Sequence, residues 1–123
     1  MSRYGESFRM IVKWPCVPMH DFTNDDASLE LLQIIVGGDV ELIRIPELNI
    51  ALIDVFVNMD GRDKGLDPNL QVGEMLLVGP VIFLGSGESG ESISLTQAQV
   101  ELIDSWLNNV LHARRRDAEA DRG

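Results

Sequence analysis

Arg62 and Lys64, on the glycine-punctuated run GRDKGLDPN at 61–69, are the residues whose type and spacing best suit chemistry. With Asn69 they could hold an anion such as a nucleotide phosphate by charge and hydrogen bonding. The run lacks the GxxxxGK[ST] spacing that cradles phosphate in a P-loop, and a solvated turn between two elements accounts for the same composition. Cys16 and His20 offer a thiol and a base four residues apart. A nucleophile pair needs contact and a third orienting group, and the prolines at 15 and 18 keep the two off one helix face. One cysteine and two histidines, with no CxxC or HxxxH spacing, build no recognisable zinc site. The carboxylates Asp21, Asp25 and Asp26, and again Asp60, Asp63 and Asp67, offer oxygen to a hard cation. The first run lacks EF-hand spacing, and Arg62 and Lys64 offset the second. The run GSGESGES at 85–92 contains no GxSxG elbow. No nucleophile–base pair or metal set emerges, so the expectation is a protein that is not an enzyme and carries no cofactor or metal.

Charge constrains partners more than it names a reaction. Between Trp14 and Ala113 stand sixteen acidic residues and three basic ones, a formal charge of −13. The other cations lie at the ends: Arg3, Arg9 and Lys13 in front, Arg114, Arg115, Arg116 and Arg122 behind. Such a field repels nucleic acid and anionic membrane and attracts basic protein surfaces. Three arginines beside Asp117 and Glu119 suit the negative end of a helix better than a nucleic-acid contact. No apolar run approaches the ~20 residues that span a bilayer. A lone cysteine fits a reducing compartment, and the expected location is cytoplasmic.

The elements that must position these residues follow from pattern. The 123 residues, 45% hydrophobic, fit one domain: a flexible start at 1–7, a folded 8–112 and a flexible charged tail at 113–123. Strands are predicted at 8–14, 39–45, 50–58 and 78–84, where apolar and β-branched residues cluster. The acidic stretch 21–26 reads as a loop. A helix over 27–36 is capped by Asp25 or Asp26 and stopped by Gly37-Gly38. Asp67 and Pro68 suit a short helix start at 67–77, which Gly73 weakens. The last helix carries the clearest signal: Thr96 and Gln99 form a capping box, Leu95 and Val100 a hydrophobic staple, and Val100, Ile103, Leu107 and Val110 a stripe. The sum is a small single α+β domain, about four strands with two to three helices packed on the sheet.

The order of these signals, LLQIIVGGDVELI, then NMDGRDKGLDPN, VGPVIFLG and SLTQAQVELI, resembles a family of bacteriophage and mobile-element genomes known as domain of unknown function 3846. The matching positions are Gly37, Gly38, Glu41, Asp60, Gly61, Lys64, Leu66, Asn69, Gly79 and Thr96, over roughly 8–110. One departure is Asp67-Pro68, where the family pattern places proline directly after the leucine. The resemblance implies an accessory protein acting inside a bacterial host. The expected function is therefore non-enzymatic binding, as monomer or homodimer, to a host protein with a basic surface, such as a DNA-binding or defence protein, by charge mimicry of nucleic acid. The expected contacts are Asp21, Asp25, Asp26, Asp60, Asp63, Asp67, Glu88 and Glu91. The alternative is a nucleotide-sequestering protein that uses Arg62, Lys64 and Asn69.

Overall fold

The structure is a computed structural model that describes residues 8–17, 19–24 and 28–122, with side chains described for 9–17, 19 and 28–111. In chain order the strands are β1 (Phe8–Lys13), β2 (Met19–Asn24), β3 (Val40–Ile43), β4 (Ile53–Asn58), β5 (Pro68–Val72), β6 (Met75–Val78), β7 (Val81–Ser86) and β8 (Ser92–Ile93). The helices are α1 (Leu29–Val36), α2 (Pro46–Asn49) and α3 (Gln97–Arg122). The main sheet runs β2-β1-β7-β4-β3, all antiparallel, and β8 pairs the end of β7. β5 and β6 form a separate hairpin.

Both faces of the sheet are covered, and strand alternation divides the core in two. Ile11, Val55, Val57, Val81 and Phe83 face α2, α3 and the β5–β6 hairpin, whose Leu70 and Leu77 join that cluster. Met10, Val12, Ile82 and Leu84 face α1 through Leu32 and Val36. This is the α+β domain expected, with more strands than the four anticipated. No described helix is long and apolar enough to cross a membrane.

The caps follow the sequence closely at two sites. Thr96 N–H donates to Gln99 Oε1 at 2.9 Å and Gln99 N–H to Thr96 Oγ1 at 3.1 Å, a complete capping box. Gly37 ends α1 at φ 80, with its own N–H and that of Gly38 both donating to the Gln33 carbonyl. At the other end of α1 the cap is Ser28, whose Oγ accepts from Leu31 N–H at 3.2 Å, rather than Asp25 or Asp26. The α3 backbone stays helical to Arg122, past residue 112.

Three elements differ from expectation. The stretch read as an acidic loop forms β2 over Met19–Asn24, an edge strand, and polar residues are what protects an exposed edge. Residues 67–77 make no helix. Gly73, at φ 60, opens a two-residue turn between Val72 and Met75, a conformation that favours glycine and suits a tight hairpin. Pro68 begins β5, where its missing N–H costs no ladder bond. The strand expected from 50 begins at Ile53, because Pro46 opens the short α2 and Leu52 turns the chain at φ 60.

Candidate functional site

The residues of the 61–69 run are organised by hydrogen bonds to backbone. Asn58 Nδ2 donates to the Val36 carbonyl at 2.9 Å, and its Oδ1 accepts from Asp60 N–H at 2.8 Å. Lys64 Nζ reaches the Gly37 carbonyl at 3.3 Å, a cation at the negative end of α1. Arg62 donates to the Leu76 carbonyl at 3.2 Å. Glycine is required where the loop closes: a Cβ on Gly79, at φ 71, would stand 2.7 Å from Leu66 Cδ1, and one on Gly61 2.8 Å from Val78. Gly79 N–H donates to the Asp67 carbonyl at 2.8 Å. Seven of the ten family positions quoted above, Gly37, Gly38, Asp60, Gly61, Lys64, Leu66 and Gly79, therefore meet at one junction, joining the end of α1 to the hairpin.

Asn69 does not join Arg62 and Lys64 around one ligand. It is 4% exposed. Its Nδ2 donates to the carbonyls of Lys13 at 2.6 Å and Gly79 at 2.8 Å, and its Oδ1 accepts from Lys13 Nζ at 3.1 Å. The side chains expected to hold an anion are thus divided between two places. Arg62 lines a groove of about 340 Å³ with Glu41, Asp60 and Asp63. Asn69 lies in a larger cleft with Lys13.

That larger cleft, about 620 Å³, runs between the end of β1, the start of β5 and α3. Alternation along β1 places Lys13 on the same face as Ile11, beneath α3. Lys13 is 5% exposed, and its Nζ also donates to the Trp14 carbonyl at 2.8 Å. Burial holds the ammonium below its ordinary range, and the nearby Cys16 side chain acts in the opposite direction. Cys16 itself is exposed, in a tight turn at φ 64, so it is not the small core residue its type suggests. The walls are largely apolar, with Val17, Met19, Leu107 and Leu111, and Asp104 and Asn108 stand on α3. Sequence reasoning missed Lys13. Its signal was a charge on a strand both of whose faces are apolar.

The acidic loops are also placed apart. Asp60, Asp63 and Asp67 are exposed beyond the end of β4, and Glu88 and Glu91 are exposed beyond the end of β7. Those strands are antiparallel, so the two loops sit at opposite ends of a sheet about 20 Å long. Glu91 folds back to accept from Ser89 N–H at 2.9 Å. The side chain of Asp21, and Asp25 and Asp26 entirely, lie outside the described residues. Among the described residues no group of three or more His, Cys, Asp or Glu side chains is placed to hold a metal.

One carboxylate is buried among those described. Asp54, 7% exposed on the α1 face, is raised above the ordinary 3.8 by burial, opposed by a hydrogen bond with Ser86 and by Arg44. A raised folded value means that its stabilising contribution is full below the unfolded value and is lost as pH climbs through the folded one. Asp54→Asn should therefore gain stability relative to the wild type as pH rises from 4 to 7, measured by urea denaturation at each pH. A constant difference across that range would show that Asp54 titrates normally.

Fold and site together define a small α+β domain that offers an acidic surface and one cation-floored cleft. The chain belongs to the family described as a domain of unknown function, DUF3846, whose model matches residues 15–108. No curated protein and no solved structure matches it significantly.

Proposed function

We propose that the protein is a non-enzymatic accessory protein that binds another protein through a basic surface on that partner. One observation carries the reading: every described carboxylate from 28 to 111 except Asp54 is exposed, whereas Lys13, one of few cations, is buried. The cations left at the surface over that range are Arg44, Arg62 and Lys64, and each donates to a neighbouring protein oxygen. Burial of Asp54 and of Lys13 offset one another, so the surface keeps the full excess of carboxylates over cations that the sequence carries. Electrostatic attraction of this kind speeds association and weakens with salt. The partner proposed, on the resemblance to a family of phage and mobile-element genomes, is a host DNA-binding or defence protein, met by carboxylates in place of phosphates.

The test is affinity capture from a bacterial host lysate at two salt concentrations, with wild type and two variants. A basic partner should be retained near 0.1 M salt and released near 1 M, where the screening length falls from about 10 Å to about 3 Å. Asp60→Asn/Asp63→Asn/Asp67→Asn and Glu88→Gln/Glu91→Gln then assign the contact to one end of the sheet. A partner indifferent to salt and to both variants, or no specific partner at all, would remove the charge-led reading.

A further inference from the structure

We infer that the cleft between β1, β5 and α3 is a binding site for a small monocarboxylate with an apolar body, its carboxylate on Lys13 Nζ. This stands apart from the basic-partner reading and uses other residues.

Three observations lead there. Lys13 has three N–H donors, of which two are spent on neutral oxygens, Trp14 O and Asn69 Oδ1. Among the described residues no carboxylate bonds the ammonium, whose acceptors are the two neutral oxygens. A buried cation bonded only to neutral acceptors is incompletely compensated, and an entering carboxylate supplies a charge-assisted bond. The cleft volume, about 620 Å³, lies in the range of small-molecule sites.

The lining narrows the chemistry further. Val17, Met19, Leu107 and Leu111 ask for an aliphatic or aromatic body. Asp104, exposed on α3 at the same cleft, and a net charge of −10 disfavour a second or third anionic group. Nucleotides and phosphorylated metabolites are thus the wrong class, a cationic ligand is repelled at the floor, and a neutral one leaves Lys13 as it was. A single carboxylate on an apolar body satisfies both ends.

The experiment titrates octanoate, octanol and octylammonium into the full chain by calorimetry. Fluorescence of Trp14, which is 39% exposed and adjacent to Lys13 in sequence, gives a second readout. Octanoate should bind at least about ten-fold more tightly than octanol, the ratio that a charged hydrogen bond supplies, and octylammonium should not bind. Lys13→Met should abolish the preference for octanoate while retaining octanol. Asp104→Asn, at an exposed position, should tighten octanoate by roughly two- to three-fold. Equal affinity for octanoate and octanol, an unchanged preference in Lys13→Met, or no octanoate binding up to about 10 mM overturns the site. Where Lys13→Met loses its fold by circular dichroism, Asp104→Asn decides, and an affinity it leaves unmoved overturns the site equally.

Discussion

Replacing Asn69 by leucine is expected to cost the fold about 3 kcal/mol, although the two side chains are of similar size. The side chain makes three hydrogen bonds in a site that is 4% exposed, to the carbonyls of Lys13 and Gly79 and from Lys13 Nζ. Leucine leaves two buried carbonyls and one buried ammonium short of a partner, and each such group costs about 1–3 kcal/mol. Asn69 also ties three parts of the chain together: the end of β1, the start of β5 and the turn before β7. The loss should lower the melting temperature by about 10 °C. Gln71→Leu, two residues along on the exposed side of β5, is the matched control. Its side chain donates to Gly73 O at the surface, so it should stay within about 0.5 kcal/mol of wild type. Urea denaturation of the three proteins measures both effects, and a loss under about 1 kcal/mol for Asn69→Leu would show that water replaces the network.

Phe83→Ala should be costlier still, about 4 kcal/mol. Phe83 is fully buried on the central strand, opposite Ile11 on one side and Val55 on the other. Its ring meets Trp106 edge-on, at 6.1 Å between centroids and 67° between planes. Truncation removes a large apolar surface and leaves a cavity between the sheet and α3, and the strands cannot close in without breaking ladder bonds. Ile82→Val, one residue away on the α1 face, removes a single methylene and should cost about 1 kcal/mol. Comparable losses for the two would mean that the α3 face repacks freely.

Much of this architecture was legible where local chemistry alone fixes the conformation. Thr96 with Gln99, and Gly37 after the apolar run of α1, form their caps within a few residues, and no distant contact alters them. The apolar strands β1, β4 and β7 were legible for a similar reason: only a core accommodates them. The misreadings fall where tertiary pairing decides. His20, Asp21, Thr23 and Asn24 carry no apolar run, and they become β2 by pairing with β1. Asp67-Pro68 opens a helix or a strand equally well, and β6 settles it as β5. The motif at 61–69 was recognised as a pattern, but its residues serve the junction with α1 and the hairpin more visibly than an anion. The Lys13 cleft was hidden because its walls come from positions 13–19, 68–69 and 104–111, a grouping that exists only once the chain has folded.

The position of β7 has a consequence for how the chain reaches this state. The strand at the middle of the sheet is the seventh made, and its partners β1 and β4 precede it by many residues: Ile11 waits for Phe83, and Val55 for the same residue. While the chain emerges from the ribosome, β1–β2 and β3–β4 are two hairpins with no strand between them. Isolated hairpins are marginal in water, and both expose apolar faces until residues 81–86 arrive. The central strand is thus missing from the sheet until residues 81–86 are made, and the pairing of β1 with β7 is a long-range contact of the kind that slows folding. A nascent chain halted before Val81 holds two strand pairs and lacks the strand that joins them.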